Sequence, residues 1–336
     1  MTAIIYFKEK IVLKKLKMFG IFAGLFAGFT WGIDSSIIGY IGGHESMAEI
    51  AKSLIIFTFA CTFIHDLFSA GWMWIYMGGK RQLTTTLKKV KTRSGLFVIL
   101  GALLGGPVGM TGYVLAINYL GASYTSAISA VFPAVGALFA YIVLKDKLSL
   151  LNWGGLLASI VGVILLGGIA TEEVGQNSLL GIIFAIVCVL GWSLESTVCA
   201  YGMKDDEISA EESILIRQST SALTFGLILI PLFGNYTSTF QIVQTNMVWF
   251  LLAAAFVATT SYIMYYKSIH IIGPIRAMST NITYVAWTFL FSIIFLNQEF
   301  SVLSILFSLI IVAGSILTVL KKKESNTPES PSADAL

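Results

Sequence analysis

Charged residues are scarce in this chain: Asp, Glu, Lys and Arg make up 12% of its 336 residues, whereas soluble domains carry about 25%. Hydrophobic residues account for 56%, and the mean hydropathy is +0.84. So few charges, together with long apolar runs, predict a protein that crosses the membrane many times. The loops between the runs are too short for a soluble catalytic domain, so we expect the function to reside within the membrane.

Cysteine and histidine are equally sparse, with three residues of each. Cys61, Cys188 and Cys199 fall in apolar segments, so no disulfide framework is predicted. The chain has no His-Glu-x-x-His or Gly-x-Gly-Asp motif and no Ser–His or Cys–His pairing at catalytic spacing, which argues against an intramembrane protease or acyltransferase. The sequence therefore predicts a protein that is not an enzyme and that uses no cofactor, metal or nucleic acid.

Ten apolar segments are predicted to cross the bilayer as helices, each needing about 20 residues. These spans, numbered 1 to 10, lie at 18–40, 49–77, 95–117, 123–144, 151–169, 179–201, 211–233, 247–267, 273–296 and 302–320. A basic segment at 1–17 precedes span 1, with Met18 as a second candidate start and no recognisable signal peptide. The tail at 324–336 is rich in Ser, Pro and acids and is predicted to be disordered.

The Lys and Arg residues collect at one end of these spans. They precede span 1, fill the loop between spans 2 and 3, and follow span 10. Of the 21, only Lys52 lies by the opposite face, while Arg217 and Arg276 fall within span ends. The positive-inside rule therefore predicts that both termini are cytoplasmic.

Two ungapped registers relate the first half of the chain to the second. One lays 20–40 on 181–201, and the other lays spans 3 to 5 on spans 8 to 10. The aligned pairs include Trp31 with Trp192, Asp34 with Glu195, Ser35 with Ser196, Tyr113 with Tyr265 and Gly121 with Gly273. We therefore predict an all-α membrane protein of two five-helix repeats, 18–172 and 173–323. Because each repeat has an odd number of spans, the second is predicted to be inverted in the membrane.

Span 6 carries Trp192 and Glu195 three residues apart, and hence on one helical face. A carboxylate in the middle of a span costs a few kcal/mol, which makes Glu195 a candidate for function. An aromatic face beside a negative charge suits an organic cation, because ring faces attract quaternary ammonium groups. The alternative is that Glu195 pairs with an arginine, or is buried protonated, for packing alone.

Polar residues also lie inside spans 2 and 7. His65 and Asp66, near the middle of span 2, predict a transport pathway or proton relay. The alternative is that His65 only caps a neighbouring carbonyl. Arg217 and Gln218 open span 7, where Arg217 is predicted to anchor at the membrane surface, with a counter-charge for one of the acids as the alternative.

Span 9 carries a polar and aromatic stripe at helical spacing, formed by Asn281, Tyr284, Trp287 and Thr288. Aromatic stripes usually pack, but an Asn and a Thr on the same stripe favour a hydrated cavity, and Asn281 is taken as a substrate-binding candidate.

In span 3 the Gly-Gly-Pro run at 105–107 predicts either a helix kink or a close helix contact.

With these residues in view, the chain resembles the drug/metabolite transporter superfamily with its ten-helix EamA-type fold, and more closely the LicB-type choline permeases. The resemblance covers about 20–320 and is carried by sequence segments in both halves. These are 65–69, 101–110, 192–196, 214–218 and 281–287.

What the resemblance implies is a bacterial inner-membrane importer of choline, or of a close quaternary ammonium, that works by alternating access. Trp31, Trp192, Tyr284 and Trp287 would be walls of an aromatic box between the two halves. Glu195 would be the negative partner of the cation. The partners are then a small organic cation and the lipid bilayer, and no oligomeric state is predicted.

Coupling and pathway candidates follow from the same resemblance. They are His65, Asp66, Asp34 and Gln218. Asp34 departs from the family pattern, in which we expect an uncharged residue there. Entry would be driven by the membrane potential, and proton coupling through Asp66 or Glu195 is left open. The rival function on the same fold is export of drugs or amino acids.

The predicted orientation is testable with reporter fusions after Leu336. Green fluorescent protein folds in the cytoplasm and alkaline phosphatase matures outside it, so we expect the first fusion to fluoresce and the second to stay inactive. Fusions truncated after Glu45, between spans 1 and 2, should give the opposite pair. Active phosphatase at the carboxyl terminus would contradict the assignment.

Overall fold

The computed structural model describes residues 2–144, 149–174, 177–203 and 207–319. All regular secondary structure in these ranges is helical. Nine of the helices there are long and apolar enough to cross a membrane, and a shorter apolar helix follows them. The chain is therefore a multi-span membrane protein. The predicted disordered tail at 324–336 lies outside the described residues.

The apolar helices follow the predicted order and keep the span numbers. Their bounds are Thr2–Gly43, Leu54–Gly79, Arg93–Leu120, Ala122–Ser129 with Phe132–Leu144, Leu150–Val174, Ser178–Gly202, Ala210–Phe233, Met247–Ile272, Pro274–Asn281 with Tyr284–Leu296, and Val302–Val319. Short helices in the connections are Glu45–Met47, Ala48–Ala51, Leu83–Lys89 and Tyr236–Val243. The helix of span 1 also includes most of the basic segment 1–17, which contains good helix formers and no Gly or Pro.

Spans 4 and 9 are each interrupted in the middle, and each begins at a glycine of unusual conformation. Gly121 has φ 80° and ψ 164°, and Gly273 has φ 83° and ψ 159°, a region open essentially only to glycine. Each glycine starts a helix of eight residues, which ends at Ser129 in span 4 and at Asn281 in span 9. The register that aligns the two glycines also aligns these two ends, so one backbone design occurs twice.

The main helix contacts join the first half of the chain to the second. Span 1 packs on spans 8 and 9, span 2 on span 7, span 3 on span 6, and span 5 on span 10. Small residues at these contacts let the helices approach closely. For example, a Cβ on Gly155 of span 5 would meet backbone atoms of Gly314 in span 10, and the converse also holds. The buried core therefore lies between the halves, where a substrate site of a repeat-built transporter is expected.

Basic residues at one end of the bundle are held by two glutamates that begin span 7. Glu211 accepts from Lys267 at 3.0 Å and lies 3.6 Å from Lys80, and Glu212 accepts from Lys89 at 2.7 Å. These contacts bring the end of span 8 and the loop between spans 2 and 3 together at one membrane face. They are partly exposed, so each stabilises the fold only slightly.

The glycine conformation at the start of span 9 gives a stability prediction. Gly273→Ala should lower the unfolding free energy by about 1–3 kcal/mol, because alanine is strained at this φ and ψ. Gly154→Ala is the matched control, since its Cβ meets nothing within 4 Å in a regular helix, and it should be neutral or stabilising. Thermal unfolding of the purified protein measures both, and equal melting temperatures would contradict the account.

Candidate functional site

A small cavity lies between the two halves of the chain, near the middle of the bundle. It is lined by Trp31, Phe132, Trp192, Glu195, Ser196, Ser261, Tyr262, Tyr265, Tyr266 and Asn281. The free space is about 30 Å³, and a single water needs roughly 10–15 Å³ on this measure. The site in this conformation therefore has room for about two waters, and any larger ligand requires the walls to move apart.

Aromatic rings form most of the cavity wall. Trp31 stands edge-on to Trp192 with ring centroids 5.3 Å apart at 84°, and edge-on to Tyr262 at 5.3 Å and 68°. Tyr113 packs behind both tryptophans, 5.8 Å from Trp31 and 4.8 Å from Trp192. Its hydroxyl is paired with Ser35 at 2.7 Å, which fixes the ring. These rings come from spans 1, 3, 6 and 8, so both halves of the chain contribute to this aromatic cluster.

Glu195 is held by an arginine and a tyrosine. Arg217 Nε donates to Glu195 Oε1 at 2.9 Å, and the Tyr266 hydroxyl donates to the same oxygen at 3.0 Å. The guanidinium also lies over the ring of Tyr262, with Cζ 4.4 Å from the ring centroid. Because Arg217 is fully buried, the prediction that it anchors at the membrane surface is wrong, and it is the counter-charge of Glu195.

The glycines of span 3 make room for the site. The segment Leu104–Met110 forms a widened π turn around Pro107, which lacks a backbone donor. A Cβ on Gly105 would overlap the Glu195 carboxylate, and a Cβ on Gly109 would meet the ring of Trp192 at 2.7 Å. The glycines at 105 and 109 therefore allow spans 3 and 6 to pack closely together.

A second buried polar cluster links span 1 to span 2. His65 lies between two carboxylates, with Nε2 3.2 Å from Asp34 Oδ1 and Nδ1 3.0 Å from Asp66 Oδ1. Ser221 Oγ donates to Asp66 Oδ2 at 2.5 Å. A protonated imidazole has a donor for each carboxylate. The predicted pair His65–Asp66 thus interacts directly, and Asp34 joins it rather than standing alone.

Two separate sets of hydrogen bonds join spans 2 and 7, one beginning at the arginine and the other at Asp66. Arg217 Nη1 donates to Gln218 Oε1, and Gln218 Nε2 donates to Ser69 Oγ. Ser69 Oγ is also paired with Thr259 Oγ1 of span 8 at 2.7 Å. Ser221 of span 7 donates to Asp66 of span 2, which adds a second hydrogen bond between these two spans. The polar residues of both halves therefore form one interface.

The two clusters occupy equivalent positions in the sequence registers. The register that aligns Gly121 with Gly273 aligns His65 with Arg217, Asp66 with Gln218 and Ser69 with Ser221, and the register of spans 1 and 6 aligns Asp34 with Glu195. Each half thus has an acid on its first span paired to a cationic side chain on its second. The cross-links are reciprocal as well, since the Asp66–Ser221 contact is matched by Gln218–Ser69.

Negative groups exceed positive ones in this buried interface. Asp34, Asp66 and Glu195 face Arg217 and His65, and all five side chains are at most 8% exposed. Even with His65 protonated, the cluster holds one more carboxylate than cation. A buried unpaired charge is strongly unfavourable, so the interface favours a proton or a monovalent cation nearby.

The stripe predicted in span 9 is not one continuous face. The span is interrupted between Asn281 and Tyr284, so the helical spacing does not carry across it. Asn281 lines the cavity, whereas the Tyr284 hydroxyl is paired with Ser129 Oγ at 2.6 Å and is buried beside it. Neither Tyr284 nor Trp287, which the resemblance predicts as walls of the aromatic box, lines the cavity in this conformation.

Trp287 lies on the other side of span 1. Its ring is edge-on to Phe29 at 5.0 Å and stacks on Phe291 at 6.3 Å. A Cβ on Gly32 would meet the Cβ of Trp287 at 2.5 Å, so the tryptophan packs directly on the span 1 backbone. Trp287 therefore packs against neighbouring rings and against the backbone of span 1.

Three tyrosines of span 8 form the part of the site that sequence reasoning missed. Tyr262, Tyr265 and Tyr266 all line the cavity. Their spacing of three and four residues places them on one helical face, and this spacing in an apolar span was the signal available. Tyr265 further binds Ser196 of span 6 at 2.8 Å.

The contact between spans 3 and 6 gives a double-mutant prediction. Gly105→Ala should lower the unfolding free energy by about 1–3 kcal/mol, because the new methyl group displaces the Glu195 carboxylate. In a Glu195→Ala background the obstacle is gone and the same change should have a much smaller effect. Reversible denaturant unfolding of the four proteins measures the coupling, and additive effects would contradict the contact. Gly71→Ala, whose Cβ meets nothing within 4 Å, is the control.

Comparison with known proteins agrees with this architecture. The EamA-like transporter family matches the chain twice, at residues 18–168 and 179–320. The chain is 34% identical to Protein LicB of Haemophilus influenzae over 226 residues, which are 67% of this chain and 75% of that protein. It is 23% identical to an uncharacterized transporter of Clostridium kluyveri over 235 residues, 68% of this chain and 74% of that protein.

A solved structure, described as "Crystal structure of protein", shares the fold. It superposes with a TM-score of 0.59 at 15% identity and covers 90% of this chain and 96% of that one. The two family matches together include nearly all of the described spans. The chain belongs to the EamA-like transporter family of the drug/metabolite transporter superfamily, is similar to Protein LicB, and is a membrane transporter rather than an enzyme.

Proposed function

We propose that this protein imports choline, or a close quaternary ammonium, across a bacterial inner membrane by alternating access. The observation that carries the proposal is the cavity, in which the faces and edges of Trp31, Trp192 and Tyr262 surround a space beside Glu195. A quaternary ammonium has no N–H to donate, so it is recognised by ring faces and by negative charge. The resemblance to LicB-type choline permeases points to the same substrate.

The charge balance of the interface supports a cationic substrate. Glu195 is already paired with Arg217, so it does not offer a free charge by itself. The cluster as a whole does offer a negative charge, because it contains three carboxylates and two cationic side chains. A bound monovalent cation would neutralise the remaining carboxylate. The carboxylates are Asp34, Asp66 and Glu195, and the cationic side chains are Arg217 and His65. A proton bound within the Asp34–His65–Asp66 group would neutralise the same excess charge, and this is how the proposal includes proton coupling.

The architecture supports transport between two inverted repeats. The family matches the chain twice, and the aligned glycines, helix breaks and polar pairs recur in the two halves. The inside-negative membrane potential favours the entry of a cation by about 2.3 kcal/mol per charge per 100 mV. An exporter of drugs or amino acids on the same fold is the alternative, and flux direction separates the two.

Substitution of the cavity tryptophan tests the cation–π component. Trp192→Ala should weaken choline binding about 2- to 30-fold, the range expected for about 0.5–2 kcal/mol per ring. Trp192→Phe keeps a ring face and should restore part of the loss. Trp153→Ala, on an exposed face of span 5, is the control and should bind as the wild type does. Equal losses in the Ala and Phe variants at position 192 would argue against cation–π binding.

Uptake of labelled choline into expressing cells tests the function itself. We expect uptake that falls when the membrane potential is collapsed and that is lost in Glu195→Gln, which removes the negative partner and leaves Arg217 unpaired. Glu49→Gln, at an exposed ion pair with Lys52, should keep uptake. Faster loss of preloaded choline would instead favour an exporter. No choline flux in either direction would refute choline as the substrate.

A further inference from the structure

Two polar groups of the cavity wall have no hydrogen-bond partner within the described part of the protein, the Asn281 amide oxygen and the Trp31 indole Nε1. Asn281 lines the cavity, and its Oδ1 is buried without a hydrogen bond. The serines of the same wall are engaged: Ser196 with the Tyr265 hydroxyl at 2.8 Å, and Ser261 as a donor to the Ala27 carbonyl at 2.8 Å. The amide of Asn281 is therefore a polar group that this wall leaves for a ligand, and it offers an acceptor as well as a donor.

The repeat architecture makes this position distinctive. Asn281 ends the first helix of span 9, and its aligned residue, Ser129, ends the first helix of span 4. Ser129 Oγ is paired with the Tyr284 hydroxyl at 2.6 Å and also donates to the Ser126 carbonyl at 3.1 Å. One of the two helix breaks is thus closed by internal hydrogen bonds, while the other presents an amide to the cavity.

The chemistry of an amide defines what it can bind there. An asparagine offers an acceptor oxygen and a donor nitrogen. The trimethylammonium head of a quaternary amine can use neither, and the rings of Trp31 and Trp192 suit it instead. The amide therefore matches a different part of the substrate. A hydroxyl, which both donates and accepts, satisfies either atom, whereas an apolar tail would leave the amide buried and unpaired.

A negatively charged tail fits this site poorly. The buried interface already holds more carboxylates than cations. Arg217 donates through Nε to Glu195 and through Nη1 to Gln218, and its Nη2 has no partner within the described residues. A further carboxylate in the cavity would add like charge at short range in a region of low dielectric. The unpartnered indole Nε1 of Trp31 is a second neutral donor in the same wall, and it too suits a neutral hydroxyl.

We propose that Asn281 binds a hydroxyl group of the substrate and thereby selects quaternary ammonium compounds with a hydroxyl-bearing tail over those with an apolar or a carboxylate tail. This inference rests on the proposed function, since it assigns the tail of a cation whose head lies in the aromatic box. It makes Asn281 a specificity-determining residue.

Competition against labelled choline uptake tests the inference with three unlabelled compounds. They are choline, propyltrimethylammonium, in which a methyl replaces the hydroxyl, and glycine betaine, which carries a carboxylate. For the wild type we expect choline to inhibit at roughly five- to tenfold lower concentration than propyltrimethylammonium, the effect of about one neutral hydrogen bond. Betaine should be the weakest. In Asn281→Ala the ratio of the first two should fall to within about twofold.

Asn118→Ala is the matched control, because it removes an amide that is bonded to Thr58 at 2.9 Å outside the cavity, and it should keep the wild-type ratio. An unchanged ratio in Asn281→Ala, or no preference in the wild type, overturns the inference while leaving cation transport in place. The wild-type comparison needs no variant and holds even if Asn281→Ala fails to fold. Absence of labelled choline uptake by the wild type removes the proposed function and the inference with it.

Discussion

The packing of the helices around the cavity depends on one ion pair that is buried within the membrane-spanning part of the protein. Glu195 and Arg217 are buried near the middle of the bundle, where an unpaired charge is strongly unfavourable, and each is held by the other at 2.9 Å. Several features of the surrounding helices are needed to keep this pair in place. The glycines of span 3 leave the space, Tyr266 provides a second donor, and Tyr262 covers the guanidinium.

The same arrangement gives the proposed transport cycle its physical basis. Arg217 already contacts Glu195 and the ring of Tyr262, which are the two kinds of partner that a substrate cation would use. A cation that enters the contracted cavity must share or displace these contacts. Because Arg217 is hydrogen-bonded through Gln218 to Ser69 of the other half, its displacement would change the hydrogen bonds at the interface between the two halves.

The sequence predicts the helices, because apolar length and the periodicity of one helix are local properties. Trp192 and Glu195 were placed on one face from their spacing, and both line the cavity. Contacts between helices are not local, and there the structure differs from the predictions. Arg217, predicted at the membrane surface, is buried; Trp287 packs on span 1, and Tyr262, which the sequence does not single out, lines the cavity. The break in span 9 decides the position of Trp287, the ion pair with Glu195 that of Arg217, and the packing of span 8 on span 1 that of Tyr262. None of these contacts can be derived from the spacing within a single helix.

The central claim is that a quaternary ammonium binds between the two halves, against Trp31, Trp192 and Tyr262. Crystals grown with arsenocholine, in which arsenic replaces the nitrogen, would locate the head group by anomalous diffraction. The account predicts one arsenic peak inside the box, beside Glu195, with the walls farther apart than in the present conformation. A peak at another site, or an unoccupied box at a saturating concentration of the analogue, would contradict it.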